Sequence, residues 1–128
     1  MQPNIGYSEK HLTEISQVLS VVLADEFVLY TKNRNAHWNI EGPDFYSLHG
    51  MFEEQYDELV EIVDKVAERM RMLGHYAPCS IQKFMERTTI KEHSAELHTS
   101  KACIEDLPVS HEAVIINLRT QIDRLPSN

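Results

Sequence analysis

Cysteine, glycine and proline are scarce in this chain, at two, four and five of 128 residues. So few breaks exclude an architecture of many short strands and leave long uninterrupted stretches that favour helices. The two cysteines, Cys79 and Cys103, match neither a CxxC pair nor a finger spacing. A disulfide framework and a thiolate zinc site are excluded, and buried free thiols in a reduced, cytoplasmic compartment are expected. Long hydrophobic runs are also lacking. The stretch Val18 to Ala24 is broken by Ser20, and the opening Met1 to His11 is polar, so neither a membrane span nor a signal peptide fits. Basic charge is short as well, with 12 Lys and Arg against 20 Asp and Glu for a net charge of -8. Gripping nucleic acid by its phosphates needs clustered cations, so this balance argues against direct DNA binding, whereas an acidic surface attracts cations.

What is present reads as one all-α domain over residues 1–128, the size of a single modest core. Helix A is expected over about 8–39, where Leu12, Ile15, Leu19 and Val22 repeat at spacings of three and four. Glu41-Gly42-Pro43-Asp44 ends it and opens helix B, expected over about 44–73 with Gly74 as its stop. Phe45, Leu48, Phe52, Leu59, Val63, Val66, Met70 and Leu73 form the apolar stripe of helix B. The short link forces A and B into an antiparallel hairpin, which is how bundles begin. A connector over about 77–92 with a short helix near Ile81 to Glu86 precedes helix C, expected over about 99–125 from Ile115, Leu118, Ile122 and Leu125. Pro108 means either that C starts there or that an earlier segment from Thr99 joins it through a kink. Three long helices result where a closed bundle has four, so the fourth helix is expected to be missing from this chain.

Chemistry enters on helix B. With His49 at zero and about 100° per residue, Glu53 falls near 40°, Asp64 near 60° and Glu68 near 100°, all on one face beside the apolar stripe. Glu53 and Asp64 lie roughly 16 Å apart along the axis, so one metal ion cannot touch both. Two copies of helix B crossing antiparallel about a two-fold axis near Glu58 and Leu59 would bring Glu53 against the partner copy's Asp64, and His49 against its Glu68, completing two identical sites. Val60 would supply an apolar contact near that axis. His37 joins the set because it and His49 are equally spaced from Pro43, which the hairpin brings level. Two imidazoles and three carboxylates suit iron, zinc or manganese, and open carboxylate-rich sites suit a redox metal. Taken singly, carboxylates at i,i+4 are usually solvated surface and Trp38 reads as core; the joint fit of five residues favours a site. The other histidines show no HExxH or Glu-x-x-His pattern, which argues against a di-iron centre within one chain.

The runs Asn35-Ala36-His37-Trp38-Asn39, Gly42-Pro43-Asp44-Phe45, Leu48-His49 and Asp64-Lys65-Val66-Ala67-Glu68-Arg69 resemble the Dps-type miniferritins of the ferritin-like superfamily, named for DNA protection during starvation. His111-Glu112-Ala113 with Leu118-Arg119 matches their third helix more loosely. The resemblance implies a ferritin-like four-helix bundle, assembled as a homo-dodecamer from two-fold dimers, that oxidises Fe(II), typically with hydrogen peroxide, and stores iron. It implies that His37, His49 and Glu53 bind iron from one subunit while Asp64 and Glu68 bind from its neighbour. Position 53 is Glu where the family often has Asp, and the Lys-rich tail of DNA-binding members is missing, so protection of DNA by removal of iron and peroxide is expected. Two rival readings use the same residues: a DNA-binding nucleoid protein, and a truncated structural subunit without catalysis.

Overall fold

The computed structural model describes residues 6–91 and 99–124 and contains four helices in the order α1 (Glu9–Asn39), α2 (Phe45–Met72), α3 (Ile81–Arg87) and α4 (Ser100–Arg124). The expected ends of the connector near 92 and of helix C near 125, with Leu125 itself, lie outside the described residues. No strand occurs among them; an isolated parallel bridge joins Glu41 in the α1–α2 link to Thr99 before α4. No described helix is long and apolar enough to cross a membrane.

Helix ends follow their capping residues. The hydroxyl oxygen of Ser8 accepts the His11 amide and that of Ser80 accepts the Lys83 amide, which starts α1 and α3. At the end of α2 the His75 amide donates to the Met70 carbonyl and the Gly74 amide to that of Arg71. That pairing needs a left-handed residue, which Gly74 supplies at φ +87°. Pro108 neither starts α4 nor ends it; the helix runs through it from Ser100. Its ring lies on the exposed side, where water can satisfy the carbonyl that a proline nitrogen cannot.

Helix α1 is the hub, packing against each of the other three helices. Ala36 and the cap residue Ile40 meet Phe52, Cys103 and Leu107; Val28 and Leu29 meet Leu59, Ile90 and Val114; Leu23 and Ala24 meet Met70 and Phe84. Between α2 and α4, with α1 as floor, runs a cavity of about 240 Å³ lined by Glu26, Gln55, Leu59, Ile62, His111 and Ile115, among others. Two sequence expectations about single residues are corrected: Cys79 is exposed, since it sits in the link before α3, and Trp38 is 64% exposed, not core.

Charged groups sit inside this core. The Asp25 carboxylate accepts the Thr88 hydroxyl (2.7 Å), the Thr89 amide (2.6 Å), the Thr89 hydroxyl (2.8 Å) and the Asn117 amide group (3.2 Å), which fastens both the chain after α3 and α4 to α1. Lys32 donates to the Lys91 carbonyl and the Ser110 hydroxyl and pairs with Asp106 at 3.1 Å. Crossover backbone has no helical ladder of its own, so side chains of the hub must satisfy it. Beside Asp25, Glu26 is buried, and that burial, followed by the repulsion of Asp25, pushes its carboxyl above the usual range.

Two stability outcomes follow. Asp25→Ala leaves several donors unpaired and should lower the unfolding free energy by about 3 kcal/mol in urea titrations at fixed chain concentration. A loss below about 1 kcal/mol would contradict this role. For Glu26 the sign is opposite: a carboxyl raised by folding loses stability as pH climbs from the ordinary carboxylate pKa through the folded one. Glu26→Gln should therefore be more stable than the wild type at pH 7, with the advantage gone near pH 4, as read from urea midpoints at both pH values.

Candidate metal centre

The α1–α2 hairpin decides which side chains meet. With φ +113° at Gly42 the link turns sharply, and α2 begins at Phe45 antiparallel to the end of α1. His37, in the last turn of α1, and His49, in the second turn of α2, arrive level with ring centroids 3.7 Å apart and planes inclined by only 17°. Each ring nitrogen Nδ1 lies 2.7 Å from the backbone carbonyl oxygen of the other histidine. A carbonyl only accepts, so both Nδ1 atoms must carry hydrogen, and in the neutral ring the lone pair is left on Nε2. Metal-binding histidines are commonly oriented by a carbonyl in this way.

Neighbouring rings hold the pair further. Phe45 stacks on His49 at 4.8 Å, and Tyr56 meets His37 edge-on at 5.2 Å. Tyr56 is buried, and that burial pushes its phenol up, with Arg34 opposing and the carboxylates of Glu53 and Asp57 adding to the rise. The Arg34 guanidinium lies 4.2 Å from the Tyr56 ring centroid.

Of the five residues singled out in the sequence, the chain brings together His37 and His49. Glu53 stands one turn after His49, and Glu53, Asp64 and Glu68 are all exposed along α2. Among the described residues, no three side chains of His, Cys, Asp or Glu gather in one chain to hold a metal ion. Within a single copy the arrangement is therefore two oriented nitrogens, partly sheltered, beside a helix face of solvated carboxylates. Nitrogen with carboxylate oxygen is a mixture that first-row divalent metals accept.

The ring cluster of Arg34, Tyr30 and Tyr56 was missed from sequence. Its signal is only a spacing, since Tyr30, Arg34 and Trp38 recur every four residues, as core and surface residues on one helix often do.

Comparison with known proteins identifies the family of the fold. An uncharacterized low temperature-induced protein from a Nostoc species is 37% identical over 121 residues, covering 94% of this chain and 68% of that protein. DNA protection during starvation protein 2 of Bacillus anthracis is 32% identical over 106 residues, covering 83% of this chain and 72% of the relative. Among solved structures, a Dps protein from Vibrio cholerae O1, described as a member of a broad superfamily of ferritin-like diiron-carboxylate proteins, superposes with a TM-score of 0.88 at 27% identity, covering 95% of this chain and 76% of its own. With residues 16–125 matching the ferritin-like domain family as well, the chain belongs to the ferritin-like proteins and, within them, to the Dps-type miniferritins.

Proposed function

We propose that this protein oxidises Fe(II) at a centre shared by two chains and stores the ferric product, the activity class of the family to which it belongs. His37, His49 and Glu53 of one copy face Asp64 and Glu68 of a second across a two-fold axis. The observation that carries the reading is the reciprocal bonding of the two imidazoles, which commits both Nδ1 atoms and leaves two Nε2 donors for a metal. Support for the second copy comes from spacing, because Glu53 is too far along α2 from Asp64 and Glu68 for all three to serve one ion. The surface beside them also carries large apolar groups, with Tyr46 89%, Trp38 64% and Val60 43% exposed, as expected of a face that another copy covers.

Iron is the substrate, and hydrogen peroxide is the oxidant. Two Fe(II) each give one electron to one peroxide molecule, whose O–O bond breaks; water hydrolyses the ferric ions and protons are released. His37 and His49 supply neutral donors that suit Fe(II), while Glu53, Asp64 and Glu68 favour the harder ferric product. Removing iron and peroxide together protects against oxidative damage. In this reading the chain forms a cytoplasmic homo-dodecamer built from two-fold dimers, and DNA benefits without being bound.

Subunit mixing tests the shared centre. His49→Ala and Asp64→Ala, each alone, should slow peroxide-dependent iron oxidation at least about tenfold. Unfolded and refolded together, they should regain about a quarter of the wild-type centres, since half of randomly formed dimers are mixed and each mixed dimer holds one intact centre of two. A mixture no more active than its parents would refute a centre built across two chains. For nucleic acid, a gel shift at physiological salt should show free DNA only; retention there would overturn the inference from charge.

A further inference from the structure

Arg34 stands one helical turn before His37, and its guanidinium is caged: the central carbon is 4.2 Å from the Tyr56 ring centroid, 5.5 Å from Trp38 and 5.7 Å from Tyr30. Tyr30 and Tyr56 themselves meet edge to face at 6.1 Å, so the cage spans both helices of the hairpin. Among the described residues the single ion pair is Lys32 with Asp106; Arg34 forms none, although Glu53 and Asp57 act on the same Tyr56 ring from nearby. A long cationic side chain at a half-buried position ordinarily swings its charge into water; three rings hold this one in place. Tyr56 is also the ring that touches His37. The guanidinium therefore lies within about one Debye length of the imidazole, roughly 10 Å at 0.1 M salt, where screening is incomplete.

Cation–π contact alone would stabilise the hairpin wherever the cation met the aromatic side chains. Its placement beside the paired histidines has a second effect. A fixed positive charge raises the energy of any cation held there, in proportion to the charge of that ion, so a trivalent ion is opposed more than a divalent one.

Resting on the metal-centre reading above, we propose that Arg34 is a tuning residue of the His37–His49 centre, whose caged charge weakens the hold on cations and most of all on the ferric product. Iron then passes on toward storage instead of blocking the centre after one turnover. The carboxylates that suit ferric iron would otherwise retain it, and the guanidinium offsets part of that retention.

Co²⁺ binding followed by calorimetry and by its visible absorption tests this without turnover. Arg34→Gln should bind Co²⁺ about two- to tenfold more tightly than the wild type at low salt. That gap should shrink in 0.5 M NaCl, and Arg34→Lys should remain close to the wild type. Arg34→Met keeps the apolar contact with the rings and should behave as Arg34→Gln does, which guards against a folding defect in one variant. Equal or weaker binding in both neutral variants, or a gap that salt does not change, overturns the proposal. Loss of Co²⁺ binding in His49→Ala separates the two levels: if binding is lost there while both neutral Arg34 variants match the wild type, only the role of Arg34 falls. If His49→Ala binds normally, the centre itself and the tuning role fall together.

Discussion

Each imidazole of the His37–His49 pair donates to the backbone carbonyl of the other residue, and these two bonds fix more than two side chains. They lock the register of α1 against α2, because a shift of either helix by one residue would turn the ring about 100° away from its carbonyl. They also choose the tautomer, so in the proposed centre the donor nitrogens would be set before any metal arrived. The Glu41–Thr99 bridge links the turn between the two helices to the start of α4, which extends the constraint to a third element. A preset pair costs less ordering entropy on binding than two free histidines would, since their rotamers are already held by backbone and by the rings of Phe45 and Tyr56.

The rigidity of that hairpin rests in turn on α1 as hub. A helix that touches every other element has little surface left for solvent, and its polar residues must find partners inside. Asp25 and Lys32 do so by taking over the unpaired backbone and hydroxyls of the crossover and of α4. Among the described residues Glu26 has no such set of bonds, and its raised carboxyl records the cost of burial in the cavity between α2 and α4. His111 in the same cavity is shifted the other way, its imidazole pushed down by burial. Both shifts have the sign that desolvation of a charge gives.

Much of the fold was legible in the sequence because helices announce themselves by periodicity and breaks. The all-α class followed from scarce glycine and proline and from the stripe of helix B, and the family from the resemblance carried by the runs around His37, His49 and Asp64. Buried charge was not legible from residue type: Asp25 and Lys32 continue the three-and-four spacing of the apolar face between Val22, Leu29 and Ala36, and partners on the crossover and α4 let them stay in the core. Trp38 failed in the opposite direction. Its size suggests burial, yet it stays 64% exposed beside Arg34. Pro108 shows a similar limit, since its tolerance depends on which side of α4 faces water, a property of packing and not of local propensity.

The proposed division of the donor set between copies has an energetic logic of its own. Three carboxylates brought together in one chain would repel one another and shed hydration before any metal bound, raising the cost of folding. Left exposed along α2, Glu53, Asp64 and Glu68 remain hydrated in the single chain, where they add to solubility under a net charge of -8. In the proposed dimer the repulsion arises only on assembly, and a bound cation offsets it. Metal binding and chain association are then linked: whatever factor association adds to metal affinity, the metal must return to association. A caged guanidinium beside the histidines fits the same balance, supplying in the empty centre part of the positive charge that the carboxylates need, and opposing the cation once it has arrived.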